Sequence, residues 1–409
     1  MADRLRVAVR KFEPFERAIE KQFAAFRQAT GSTLELEAVP LDLNPMRETL
    51  FERGGLRDGT WDIAFLNTDW IAEAVATESV VDLRPFMEAH PVDGYPEGWA
   101  AALLRLQDDG RHVWGLPYHD GPQCLIYRRD LLEDERERAG FAQRFGSELR
   151  VPETWGSFLD VARFFTRPDE LYGTIFAAFP DGHNSVYDFC VQLWSRGGEL
   201  VGPGRRPRLD TAEAAAALDF YRGAVRDRTI TPPGLEQVDS VRSGELFANG
   251  SIAMMANWFG FASVLEQPGH PLKGKVGIAP LPRGEGGRPV ALNVYWILAV
   301  AAGSTKRDDA YAFLRFAASP EMDKLAALHG VVGCRRSTWH DEEVNDLVPF
   351  YRELDQLHAG ARELPSAADF PAFAHVLDRA VQRAIGSDEP TDRILAEAQA
   401  EVDRARITL

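Results

Sequence analysis

The sequence predicts an α/β protein of two lobes, and three observations carry that expectation. Its 409 residues exceed what one ordinary core accommodates. A strand–helix–strand unit opens the chain. Strand-like runs then feed helical segments in both halves, an arrangement that places ligand loops at the carboxyl ends of strands.

Leu5, Val7 and Val9 alternate, as a strand requires. Pro14 opens a segment in which Phe15, Ile19, Phe23 and Phe26 recur at helical spacing, and Gly31 stands in the position of a helix stop. Leu34, Leu36 and Ala38 alternate again, completing a βαβ unit with parallel strands and a right-handed crossover. WDIAFLN, residues 61–67, reads as a short buried strand. Residues 113–132 read as an extended crossing segment, because Pro117 and Pro122 exclude helix there. Thr154 stands as N-cap for a helix carrying Trp155, Phe158, Leu159 and Ala162, and a second helix starts near Thr211. The apolar run Val294 to Ala302 suits a buried strand, and from Lys306 onward most of the chain is helical.

Composition narrows the function. Acidic residues outnumber basic ones by 62 to 46, a formal charge of −16, which argues against nucleic acid as a partner. The basic run Arg205-Arg206-Pro207-Arg208 sits among glycine and proline and reads as a solvated loop. No apolar run approaches the roughly 20 residues that cross a bilayer. The start, MADRLRVAVR, does not read as a signal peptide, so either the chain is cytosolic or a leader was removed and Met1 added. Cys124, Cys190 and Cys334 form no CxxC pair and are odd in number, which points to buried thiols rather than a zinc site or a disulfide scaffold.

Catalytic signatures are missing. The sequence holds no HExxH, no GxSxG and no GxxxxGK[ST]. Gly284-Glu285-Gly286-Gly287 lies between prolines and precedes a strand, so a hairpin turn is expected there. The nine histidines lack ligand spacing, and neither a metal nor a cofactor is expected. Carboxylates are abundant, yet nothing singles out a glycosidase pair.

What does stand out is aromatic rings beside short polar side chains at strand ends. GSIAMMANWFGF, residues 250–261, runs from an apolar strand into Asn257, Trp258 and Phe259, where turn residues would be ordinary. Asp69 and Trp70, and Tyr118 with His119 and Asp120, repeat the combination. A sugar ring has an apolar C–H face that an aromatic ring covers, and a rim of hydroxyls that polar side chains must satisfy. Trp61, Trp155 and Trp194 are assigned to packing instead.

Taken in order, WDIAFLNTDWIAEA, GLPYHDGPQCLIYRRDLL, VPETWGSFLDVARFFT, LDTAEAAAALDFYRGAV, FANGSIAMMANWFGF and KVGIAPLPRGEGGRPVALNVYWILAV resemble the family 1 extracellular solute-binding proteins of bacterial ABC importers, the group that contains maltose-binding protein. The resemblance spans nearly the whole chain. It implies a type II periplasmic-binding-protein-like fold, hinged, with a ligand cleft between lobes that closes as rigid bodies. The first lobe would hold residues 1–117 and 275–304, the second 118–274 and 305–409. Phe12, Glu13, Asp69 and Trp70 would line the first lobe, with Tyr118, His119 and Asp120 near the hinge. Asn257, Trp258 and Phe259 would line the second, Trp258 as the stacking ring. Asn293, Tyr295 and Trp296 fall where the family often carries GGWG, and Trp296 would narrow the cleft toward a smaller ligand. FPDGHNSVYDF, residues 179–189, adds His183, Asn184 and Tyr187. Arg335 would either clamp an anionic group or anchor its loop. The implied function is a monomeric, non-enzymatic binding protein. It would be periplasmic or extracellular and cell-surface associated, handing a carbohydrate to a membrane permease. A polyol or phosphorylated polyol is the alternative ligand, and a glycoside-active enzyme the alternative class.

Overall fold

The computed structural model describes residues 3–168 and 170–409. Among them the strands, in chain order, are β1 Arg4–Arg10, β2 Glu35–Leu41, β3 Ile63–Asn67, β4 Leu116–His119, β5 Gln123–Arg128, β6 Tyr172–Ile175, β7 Ile252–Trp258, β8 Val276–Ala279, β9 Ala291–Leu292, β10 Trp296–Val300 and β11 Ala361–Arg362. The chain divides into two compact units, Met1–Gly121 with Val294–Asp355 and Pro122–Asn293 with Gln356–Leu409.

The first unit is built on a sheet of order β2-β1-β3-β10-β4. β1 runs parallel to β2 and β3, and helix Glu13–Thr30 makes the expected crossover. That helix ends where Gly31 adopts φ 71° and its N–H bonds Arg27 O at 2.9 Å, a left-handed closure that glycine makes without steric cost. Both edge strands carry a proline, Pro40 and Pro117, in the positions where a missing N–H is tolerated. In the ladder between β10 and β4, Trp296 stands opposite His119 but Ile297 stands opposite Pro117. Tyr118 is therefore the extra residue of a bulge, which re-aims the side chains around it.

The second unit is built on a sheet of order β6-β7-β5-β8 and a two-stranded parallel ribbon of β9 and β11. Helix Trp155–Phe165 begins with a reciprocal capping box: Thr154 accepts from Ser157 N–H at 3.1 Å, and Ser157 accepts from Thr154 N–H at 3.2 Å. Gly173 on β6 lies so close under this helix that a Cβ would fall 1.9 Å from Ala162 O, so no larger residue fits. Trp155 and Trp194 are buried in this unit, as Trp61 is in the first.

Two expectations are corrected. Residues 275–293 belong to the second unit, because β8 pairs with β5 and β9 with β11. Residues 305–355 belong to the first, because the rings of helix Arg307–Ala317 face helix Glu13–Thr30, with Phe313 5.1 Å from Phe23 and 5.6 Å from Phe26. Each such buried ring contributes about 1.5–3 kcal/mol, which fixes the helix to that unit. Gly284–Gly287 does form a turn, with Gly287 N–H bonding Gly284 O at 3.2 Å. It is no hairpin, since the strands on either side of it pair elsewhere. No helix among the described residues is long and apolar enough to cross a membrane.

Candidate functional site

Strand direction gathers the flagged residues at one end of each sheet. In the first unit β1 and β3 run parallel and lead out through Phe12 and through Asn67-Thr68-Asp69-Trp70. β10 is antiparallel to both β3 and β4, so its first residue, Trp296, and the last residue of β4, His119, arrive at the same end. Phe15 is edge-on to Phe12 at 5.1 Å and to the His119 ring at 4.7 Å, and lies 6.4 Å from Trp296. Trp70 meets Trp296 edge-on at 5.9 Å. Phe12, Asp69, His119 and Trp296 are part-exposed. Glu13 is exposed and pairs with Arg17 at 2.6 Å.

The His119 ring has a defined role. Val332 N–H donates to its Nδ1 at 3.0 Å, so Nδ1 is the acceptor and the proton sits on Nε2. Burial lowers its pKa to about 3 and keeps it neutral.

In the second unit β6 runs parallel to β7, so the loop after β6 and the end of β7 coincide. That loop leads into helix Asn184–Ser195. Asp181 fastens its start, accepting from His183 N–H at 2.8 Å, Asn184 N–H at 3.0 Å and Asn184 Nδ2 at 2.6 Å. The His183 ring is edge-on to Tyr187 at 5.5 Å, and Tyr187 is edge-on to Trp258 at 5.9 Å. Of these three rings Trp258 alone is part-exposed; His183 and Tyr187 are buried, as is Asn184. The outcome is a half-open indole braced from the side by a buried phenol.

Several flagged residues are held otherwise. Tyr118, re-aimed by the bulge, is buried and donates its hydroxyl to Gln22 Oε1 at 2.9 Å. Tyr295 is fully buried and donates to Gln107 Oε1 at 2.6 Å. Trp70 and Asp120 are each 1% exposed, and Phe259 is fully buried. Asn257 is buried, with its amide nitrogen on Ser240 O at 3.1 Å and Ser243 Oγ at 2.9 Å, so it braces the strand end from within. Asn293 lies in the second unit, donating its N–H to Arg362 O at 2.8 Å, whereas Tyr295 and Trp296 belong to the first. Of the two roles open to Arg335, anchoring is the one observed: Nε bonds Ala318 O at 2.7 Å, the guanidinium also bonds Asp93 O, and Trp99 lies beneath it at 4.0 Å.

Three residues escaped the sequence reading. Gln123 opens β5 directly opposite Trp258 and is 4% exposed. Asp188 lies on helix Asn184–Ser195, where burial raises its pKa to about 7; Asp181 adds to that rise, while the nearby polar side chains of Tyr221 and Gln123 oppose it. Asp181 is the third. A polar residue heading the apolar run CLIY, and a lone acid inside SVYDFCVQLW, were the signals available for the first two.

A family model described as bacterial extracellular solute-binding protein matches residues 12–324. A protein of Deinococcus radiodurans described as a probable ABC transporter-binding protein is 23% identical over 87% of this chain and 81% of its own length. A mannitol-binding protein of Pseudomonas aeruginosa is 26% identical over 76% of this chain and 74% of its own. Among solved structures, maltose-bound T. maritima MalE3 superposes with a TM-score of 0.87 at 22% identity, covering 99% of this chain and 100% of that one. That likeness shows a shared fold.

Proposed function

We propose, from the premise that this chain belongs to the bacterial extracellular solute-binding protein family, that it captures a carbohydrate or polyol and delivers it to the membrane permease of an ABC importer. The observation that carries this reading is Trp258: a part-exposed indole at the carboxyl end of β7, braced edge-on by Tyr187. Such a ring covers the C–H face of a sugar or the carbon chain of a polyol, and neighbouring polar groups pair its hydroxyls. The first unit offers the same materials in Trp296, Phe12, Asp69 and the Nε2–H of His119. The mannitol-binding relative and the maltose-bound neighbour support a polyhydroxy solute. A phosphorylated solute loses its main cue, because Arg335 is buried on backbone carbonyls. The protein acts as a monomer, in the periplasm or at the cell surface, and performs no covalent chemistry.

A thermal-shift panel of pentitols, hexitols, mono-, di- and oligosaccharides tests this. A solute at about a hundred times its dissociation constant adds roughly 2.7 kcal/mol of stability, so one member should raise the melting temperature by several degrees. No shift across the panel, or turnover of aryl glycosides, contradicts the reading.

A further inference from the structure

Gln123 is 4% exposed, and its strand position pairs with Trp258 in the ladder between β5 and β7. Residues directly opposite in an antiparallel pair project from the same face, so the amide lies beside the half-open indole. Helix Asn184–Ser195 supplies the neighbour, bringing the Asp188 carboxyl group near the same amide. The amide carries one acceptor oxygen, Oε1. That oxygen is buried and has no hydrogen-bond partner among the described residues.

Buried polar atoms are almost always paired, and an orphan acceptor in such a position marks a site awaiting a donor. We propose that Gln123 Oε1 is the acceptor that receives one hydroxyl of the solute lying on Trp258, and that it thereby selects which hydroxyl pattern binds. The inference rests on the reading of the protein as a sugar or polyol binder and refines it. An acceptor oxygen discriminates sharply, because an analogue lacking that one hydroxyl leaves the buried amide unpaired again. A donor-poor replacement, such as a methyl ether or deoxy carbon, should be rejected for the same reason. The reach is a single hydroxyl on the solute edge facing β5.

The test is calorimetric titration of D-mannitol, ribitol, D-glucose and maltose, each with its singly deoxygenated forms, against the wild type and two variants. Gln123→Leu and Gln123→Met both remove the acceptor, and Met keeps the length of the side chain should Leu unsettle the strand. In the wild type, one deoxygenation should weaken binding at least tenfold. In either variant the parent should weaken at least tenfold, while that same deoxy form binds within threefold of its wild-type affinity. If variants and wild type discriminate equally, the Gln123 assignment is overturned and the solute-binding reading stands. If none of these solutes binds the wild type, both fall together.

Discussion

Trp296 and His119 face each other across the ladder between β10 and β4, and the imidazole of that pair is a neutral acceptor for Val332 N–H. Burial lowers the pKa to about 3, against roughly 6.5 in an unfolded chain. Between those values the unfolded state binds the extra proton. The stabilising contribution is therefore complete above about pH 6.5 and is lost as pH falls toward 3. Because the ring is part-exposed, roughly 1–2 kcal/mol is expected rather than the full shift. Melting curves at pH 7.5 and pH 4.5 should show a smaller acid loss in His119→Gln, by about 1–3 °C. An equal loss in both proteins contradicts the assignment.

Asp188 runs in the opposite direction. Burial raises its pKa to about 7, so between roughly pH 4 and 7 the folded state holds a proton that the unfolded state has released. Stability falls as pH rises through that window, and the full cost is present above it. Asp188→Asn mimics the protonated group. It should match the wild type near pH 4 and exceed it at pH 8 by on the order of 1–2 kcal/mol in urea denaturation. A variant less stable than the wild type at pH 8 would show that the ionised carboxylate is needed by the fold.

Arg335 is an anchor, so its removal should be felt in stability. Arg335→Met leaves the carbonyls of Ala318 and Asp93 without their guanidinium donor and removes the cation over Trp99. A loss of about 2–4 kcal/mol is expected, with solute affinity unchanged. Wild-type stability combined with lost affinity would return Arg335 to the binding surface.

The alternation of Leu5, Val7 and Val9, the helical spacing of Phe15 to Phe26 and the Gly31 stop were legible because each records a local periodicity or a local backbone need. Unit membership was not legible for residues 275–293 and 305–355. It is decided by which strand β8 pairs with and by rings packing on a helix nearly three hundred residues away, and neither leaves a local trace. The same holds within the aromatic clusters. Trp258 and Tyr118 sit in similar strings of rings and polar groups, yet a one-residue bulge turns Tyr118 inward to Gln22 while Trp258 stays part-exposed. Gln123 was missed because its position depends on a register, Gln123 opposite Trp258, that spans more than a hundred residues of chain.

The most direct measurement is calorimetric affinity for the best-binding sugar or polyol in the wild type and in Trp258→Ala. The indole is part-exposed and braced by Tyr187, so its loss should leave melting cooperative and within a few degrees of the wild type. Removal of the apolar contact for the solute face should weaken binding by about a hundredfold or more, equivalent to roughly 2.7 kcal/mol. An affinity within threefold of the wild type, in a folded variant, would contradict the role given to this ring.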